Sequence, residues 1–534
     1  MKRLLVYMLS GMALVGTSCS DFLDTAPVDA LSPATTWKTE GDAEKFMVGC
    51  YDGWADETGI LYWDCGSDFG FNFHPHEGWR TIGAGTMSSN SSCANYYSFS
   101  LIRRCNDFLT NIEGVAFADQ KKKDDMKGQV MTIRAYQYFL MNWVYGGVPI
   151  IDSYETAEEA RVPRNTEEEV KNYIYKELDA AIPMLNDAPK ASGYIAKGTA
   201  LALKMRAAMF YSDFQLAKEA AKAIMDLGQY ELDPSFANLF TVSGQGSKEI
   251  IAAVQHDENL YSNWMIASMY NNGDGGWSSM VPTQNLIDAY EMSNGLTKEE
   301  AGSGYDPTHP FANRDPRMAM TVLYPGMDWN GRILNTLDKE VDGKANPDNN
   351  GVNNCSKTRL TWAKYLAPMD QYNDVWSNNS QPIIFRYAEV LLSYAEAENE
   401  LNGPSAEVYG MLNQVRNRVG MPNVDQAKYG SKDKLRELIR RERSVELAGE
   451  GLRRMDIIRW KDASGKMVAE TVMNGELRAI LGKMDLTEPD PTKRAIVTDS
   501  ELIETRQFQP YHRYLPFKQS SLDKNPNLKQ NEGY

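Results

Sequence analysis

One stretch constrains the fold of this chain more than any other: the helical hairpin from Ile384 to Val419, with the charged helix that follows it. In its first arm Tyr387, Val390, Tyr394, Ala397 and Leu401 recur in steps of three and four residues, which places them on one helical face. Ala388, Leu391, Leu392 and Ala395 form a second apolar face, and Glu389, Glu396 and Glu400 share a third side. A helix apolar on two faces is sandwiched between neighbours and not laid on a surface. Asn402-Gly403-Pro404 ends it, because Gly suits a left-handed C-cap and Pro cannot continue a helix. Ser405 caps a second arm whose inner stripe is Val408, Leu412, Val415 and Val419, and Gly420 and Pro422 stop that arm. Two tightly joined antiparallel helices with small residues in the seam are the unit of a tetratricopeptide-type array.

The rest of the chain is organised around further helices of this kind. Asp42 to Trp54 reads as helix, with Ala43, Phe46, Met47, Cys50, Tyr51 and Trp54 on one side. Helices are expected near Tyr96–Ile112 and from about Asp124 to Tyr145, where Gly146-Gly147-Val148-Pro149 follows. Asn165-x-x-Glu168 resembles a capping box, followed by Val170, Ile174, Leu178 and Ala181 at helical spacing. Lys197 to Tyr230 forms a second hairpin. The insertions between hairpins are unequal, so the array is degenerate. Two regions lack helical periodicity. Gly59 to Ser92 is rich in Gly, Ser, Asn, Asp and aromatics, and Thr241 to Gln381 holds Trp264, Trp277, Trp329, Trp362 and Trp376, with one short helix, Gln284 to Glu291. Long loops on a helical scaffold are often functional. Because hairpins resume after residue 381, the 241–381 stretch reads as a loop-rich insertion in a single domain spanning 19–534. Pro510 to Tyr534 reads as a non-helical closing tail.

Residues 1–18 form a signal segment: Lys2 and Arg3, an apolar run from Leu4 to Val15 too short to span a membrane, then Gly16-Thr17-Ser18 leading into Cys19. This anatomy is that of a bacterial lipoprotein signal, with Cys19 as the lipidated mature N-terminus. Ser20 to about Thr35 is then a tether. The other five cysteines show no CxxC spacing, and most of them read as small buried residues. The formal net charge of -16 argues against nucleic acid as a partner.

Several stretches, taken in order, resemble the SusD/RagB family of nutrient-capturing surface lipoproteins. They are Cys19-Ser-Asp-Phe-Leu-Asp with Pro27, Arg134-Ala135 through Tyr145-Gly-Gly-Val-Pro149, Gly198 to Tyr230, and Asp315-Pro316-Arg317. Arg386-Tyr-Ala-Glu389 through Glu400 follows, then Glu442-Arg443-x-x-Glu446-Leu447, Glu450-Gly451-x-Arg453 and Arg459-Trp460. The closing Gln530-Asn-Glu-Gly-Tyr534 has Glu532 where the family usually has Pro. The resemblance implies a mainly α fold of four tetratricopeptide-like helical pairs with an irregular ligand-binding side. It also implies an outer-membrane, cell-surface location, and a role as the lid on a SusC-like TonB-dependent transporter.

The charged helix invites a catalytic reading, since paired carboxylates hydrolyse glycosidic bonds when a cleft separates them suitably. Opposite charges alternate here at helical spacing, Glu437 with Arg441 and Glu450 with Arg454, as in an ion-pair network. His74-Pro75-His76 lacks a third metal ligand. Asp342-Gly343 with Asp348, Asn349 and Asn350 lacks the closing Glu of a calcium loop and reads as a turn. No phosphate loop and no GxSxG occurs, so no cofactor, metal or catalytic residue is expected. The loop aromatics are the candidate ligand contacts: Trp79 in His-Pro-His-Glu-Gly-Trp, Tyr270 and Trp277 flanking Asn-Asn-Gly-Asp-Gly-Gly, and Trp329 before Asn330-Gly331. A sugar presents an apolar C–H face and a polar rim, which flat rings beside Asn and Asp recognise. Core packing competes for each ring. The expected protein captures an oligo- or polysaccharide without cleaving it. A peptide receptor, a glycoside hydrolase and a scaffold for protein partners are the alternatives.

Overall fold

The computed structural model describes residues 37–91, 93–151, 156, 158–349, 351–372 and 374–534; Cys19 and the tether lie outside the described residues. The fold is a mainly helical array. Its long helices are α1 (Glu40–Cys50), α2 (Ser100–Asn111), α3 (Gln120–Tyr145), α4 (Glu167–Ala181), α5 (Lys197–Tyr211), α6 (Phe214–Asp226), α7 (Tyr387–Asn402), α8 (Ala406–Asn417), α9 (Lys432–Glu446) and α10 (Arg453–Arg459). Each of α1 to α7 packs on the next, and α7 also packs on α9. The two apolar faces of α7 explain its place: α6 lies on one side and α8 and α9 on the others, burying residues 388–399 throughout. Leu401, expected on the inner face, is 39% exposed, because it sits in the last turn beside the Gly403 stop.

Local chemistry sets the helix ends. Thr166, not Asn165, caps α4, and its hydroxyl and the Glu169 carboxylate exchange hydrogen bonds with each other's backbone N–H. The expected box is thus shifted by one residue. Asn165 is engaged elsewhere, its Oδ1 accepting from the Ile150 N–H at 2.9 Å. That contact holds the turn after α3 against the start of α4. Gly147 is required there, since a Cβ would lie 1.8 Å from the Asn165 carbonyl oxygen.

Short antiparallel strand pairs place the irregular regions. β1 (Gly70–Asn72) pairs with β3 (Met280–Pro282), which brings the 59–92 stretch beside the 241–381 stretch. β2 (Ile250–Ala253) pairs with β4 (Ile383–Arg386), so the insertion enters and leaves the array side by side, directly before α7. The main apolar core runs without a break from the helices into the insertion, through Trp63, Tyr138, Ile266, Tyr290 and Trp362. A long hairpin, β5 (Gly475–Met484) with β6 (Ala495–Arg506), was not apparent in the sequence pattern. The closing tail also differs from expectation, holding short helical turns at Pro510–Arg513 and Gln519–Lys524. It is tied to the α3 terminus, with Asn531 Nδ2 donating to the carbonyls of Tyr145 and Leu515 at 3.0 and 2.8 Å. Glu532 is exposed. Cys50, Cys65, Cys93, Cys105 and Cys355 are free and buried.

Candidate functional site

The carboxylates come first, because they decide between binding and hydrolysis. Asp315, Glu249, Glu291, Glu442, Glu446 and Glu450 join Arg317, Lys364, Arg386, Arg416, Arg418 and Arg441 in one ion-paired cluster. Six negative and six positive side chains cancel. A second cluster is also neutral: Glu389, Glu396 and Asp456 with Arg206, Arg443 and Arg459. Burial alone would raise the Glu446 carboxyl, but Arg418, Arg386 and Arg317 outweigh it and hold the group well below the usual carboxylate range. Glu442, Glu450 and Glu396 are lowered in the same way, against their burial, by guanidinium neighbours. A general acid needs the opposite shift. Asp64 has it, pushed up to about 6 by burial, but it is 1% exposed and accepts from the Gly449 N–H, so it faces protein and not a cleft.

The pairs expected from spacing are not the ones made. Glu437 pairs with Lys434 and Arg441 with Glu291. Glu450 pairs with Lys364 and Arg386, while Arg454 donates to the carbonyls of Gly66 and His512. α9 ends at Glu446, and Gly449 and Gly451 at φ of +80° and +74° turn the chain, so Glu450 and Arg454 no longer share a helical face.

The weaker metal motifs resolve into loop chemistry. His74 is buried with Nε2 3.3 Å from the Trp277 carbonyl oxygen, and His76 is exposed. Asp342 and Gly343, at φ of +51° and +70°, form the turn between two-residue strands at Glu340–Val341 and Lys344–Ala345. Asp348 pairs with Arg332. Asn350 lies outside the described residues.

The aromatic candidates divide into two groups. Trp79 is 4% exposed and lies against Tyr62 and Trp63, with ring centroids 5.6 and 5.0 Å away. Tyr270 is 0% exposed, and its hydroxyl donates to the Ala367 carbonyl at 2.5 Å. These two rings are core, and neither offers a face to a ligand. Their polar sequence neighbours mark the loop, but the rings turn inward where β1 and β3 close the insertion onto the array. Trp277 and Trp329 are half-buried at the surface. Trp277 packs edge to face with Trp376 at 4.7 Å. Trp329 Nε1 donates to Asp274 Oδ2 at 2.9 Å, and Arg332 bridges Asp274 and Asp348 at 2.5 and 2.6 Å.

Three rings that the sequence did not single out as contacts are the more exposed ones: Tyr261, Trp264 and Trp376. Tyr261 stacks on His256 at 5.0 Å and 6°. Asn263 and Asn378 lock their loops together, the Asn263 N–H donating to the Asn378 carbonyl at 2.8 Å and Asn378 Nδ2 donating back at 3.0 Å. Trp264 follows Asn263 and Trp376 lies two residues before Asn378, so the two loops tied together here each carry an exposed ring. Beyond Trp277 and Asp274, an open cavity of about 470 Å³ is lined by Trp329, Asn330, Arg332 and Pro368. The result is a loop face bearing Tyr261, Trp264, Trp376, Trp277 and Trp329 among Asn, Asp and Arg. Such rings present apolar faces, and the side chains around them present hydrogen-bonding rims.

Comparison with known proteins places this geometry. Residues 248–534 match the family described as "SusD family", and residues 21–211 match one described as "Starch-binding associating with outer membrane". A SusD-like protein, P38, of Formosa agariphila is 25% identical over 480 residues, covering 84% of this chain and 89% of that protein. A SusD-like carbohydrate-binding protein of Bacteroides fragilis is 28% identical, with a TM-score of 0.81 over 93% of this chain and all of that one. A laminarin-binding SusD-like protein shares the fold at 20% identity and a TM-score of 0.69, over 93% of this chain and all of that one.

Proposed function

The chain belongs to the SusD family, and from that premise we propose that it is a non-catalytic surface lipoprotein that captures an oligo- or polysaccharide and delivers it to a SusC-like TonB-dependent transporter. The observation that carries the reading is the loop face with Tyr261, Trp264 and Trp376 exposed beside half-buried Trp277 and Trp329. The carbohydrate-binding relative of Bacteroides fragilis, 28% identical, supports glycan as the ligand class. The pairing of the conspicuous carboxylates into two neutral buried clusters supports binding without hydrolysis. The match to a family described as associating with the outer membrane supports the location, and Cys19 as lipid attachment site rests on the signal anatomy. Two acyl signals or more are needed for stable anchoring, which a triacylated N-terminus supplies.

The test is retardation of the purified protein in gels cast with a panel of neutral and charged polysaccharides, run beside a peptide library and a reducing-sugar assay. One or more polysaccharides should retard it, with no sugar release. Release of reducing ends would make it a hydrolase, and peptide capture with no glycan retardation would make it a peptide receptor. The same preparation from cells serves for location: Cys19→Ala should move the protein out of the membrane fraction, and mild crosslinking of wild type should recover a large barrel protein.

A further inference from the structure

A smaller cavity, of about 240 Å³, lies between the 52–59 segment after α1, the start of α2 and α3. Its apolar lining includes Trp54, Tyr96 and Tyr136, with the Trp54 and Tyr136 rings edge to face at 5.3 Å. The hydroxyls of Tyr96 and Tyr136 have no hydrogen-bond partner among the described residues, yet neither is sealed away from solvent. Gly59 keeps the space between Asp56 and Tyr96 open: a Cβ there would lie 3.2 Å from Asp56 Oδ1 and 3.7 Å from the Tyr96 hydroxyl. The carboxylate and the phenol therefore flank one point in the lining. Asp56 accepts from the Gly59 N–H at 2.6 Å and has no Lys or Arg within ion-pair range among the described residues. Arg104 lines the cavity too, but it is held by Asp52 and by the Gly49 and Asp52 carbonyls. Glu57, the next residue after Asp56, lies 3.6 Å from His256, the imidazole on which Tyr261 stacks.

We propose that this cavity is a separate subsite that takes a single sugar unit, a chain end or a branch, and that Asp56 selects a neutral or amino-bearing unit over a uronate or a sulfate. The inference rests on the glycan-binding reading above. Three observations carry it. The volume is below the roughly 300–1,000 Å³ of pockets that enclose drug-sized ligands, which leaves room for one ring and not a chain. The walls combine aromatic faces with two unspent phenol hydroxyls and, besides the Arg104-paired Asp52, one carboxylate without an ion-pair partner, Asp56, the donors and acceptor that a ring of hydroxyls satisfies. Asp56 pairs with no cation, and the Arg104 Nη1 in the same lining is taken by Asp52 and two carbonyls, so a sugar hydroxyl or ammonium gains a charge-assisted hydrogen bond at Asp56 that a second anion cannot make.

The experiment titrates the full protein with laminari-, cello- and chito-oligosaccharides, glucosamine oligomers, oligogalacturonate and sulfated carrageenan oligomers. It compares wild type with Asp56→Asn, Tyr136→Phe and the blocking variant Ser98→Trp, each first shown to keep the wild-type denaturation midpoint. Ser98 is an exposed lining residue whose side chain makes no contact that would be lost. The expected result is that the neutral or amino oligomer that binds wild type loses roughly tenfold affinity in Asp56→Asn and in Ser98→Trp. Uronate and sulfated oligomers should bind wild type at least roughly tenfold more weakly than neutral ones and improve in Asp56→Asn. Wild-type affinity for that oligomer in both variants overturns the subsite while leaving the glycan reading intact. Tighter binding of oligogalacturonate or carrageenan than of every neutral oligomer overturns the selectivity. No binding of any glycan to wild type overturns the glycan reading and the subsite with it.

Discussion

Arg386→Ala should cost the fold about 3–5 kcal/mol, the range for breaking a buried ion pair by removing one partner. Arg386 is 1% exposed and reaches Glu249, Glu446 and Glu450 at 2.7 to 2.8 Å. Its Nη2 also donates to the Glu446 carbonyl at 2.8 Å. Alanine leaves those carboxylates short of a positive partner in the core, and it does so where β4 hands the chain to α7. The cation is thus placed where the insertion, the array and the α9–α10 turn meet. Lys434→Ala is the control, since its pair with Glu437 is exposed on both sides and surface pairs contribute about 0–1 kcal/mol. Urea midpoints are the better measurement. At about 2.1 cal/mol/K of unfolding entropy per residue, a chain this long shifts its Tm by only about 1 °C per kcal/mol. An Arg386→Ala midpoint equal to that of Lys434→Ala would show that the cluster stabilises nothing.

The same cluster sets the response to acid. Glu446, Glu442 and Glu450 are lowered in the folded protein, so they bind protons more readily when unfolded. Their contribution is complete above the ordinary carboxylate range and is lost as pH falls through it and below. Wild type should therefore lose stability steeply below about pH 4.5. Arg386→Ala should show a shallower slope there, having already surrendered part of what acid removes.

How much of this was legible follows from what kind of interaction placed each residue. The α7 hairpin could be read because its stripes, its Gly403 stop and the Ser405 cap are all local, and α7 lies between the helices its two faces demanded. The β2–β4 and β1–β3 pairings could not be read, because their residues are some 130 to 210 positions apart and carry no mutual signal. The charged motif was legible as a network but not in its pairs. Arg386 and Glu450 are 64 residues apart, and two glycines decide which way the second helix runs. The β5–β6 hairpin escaped notice because its alternation is broken by irregularities at Leu477/Arg478 and Leu481/Gly482, and in β5 only Leu477, Ala479 and Ile480 are buried. Among the aromatics, loop composition did not separate the exposed rings from the buried ones. Trp79 and Trp376 both lie in polar stretches, and only the tertiary fold turns one inward and the other out.

That difference gives the second large effect. Trp264→Ala with Trp376→Ala should abolish measurable glycan retardation while leaving the urea midpoint within about 1 kcal/mol of wild type. Both rings are substantially exposed, at 49% and 37%, so little packing is lost with them. Each aromatic contact with a desolvated sugar face contributes on the order of 1 kcal/mol or more, so a single variant should weaken binding roughly tenfold and the pair roughly a hundredfold. Trp277→Ala should fall between binding and folding effects, since its ring is half-buried and supports Trp376 edge-on at 4.7 Å. Trp79→Ala and Tyr270→Ala should behave in the opposite way. They leave core cavities at a cost of about 3–5 kcal/mol, and any loss of binding should track the loss of fold. In Tyr270→Ala the Ala367 N–H and carbonyl also lose their partner. The discriminating measurement is affinity plotted against urea midpoint across these variants. Exposed rings should shift affinity alone, and buried rings should shift both together. If Trp264→Ala/Trp376→Ala binds as wild type does, the sugar does not rest on this face. If instead Trp79→Ala loses binding at an unchanged midpoint, the ring that the structure buries is a contact after all.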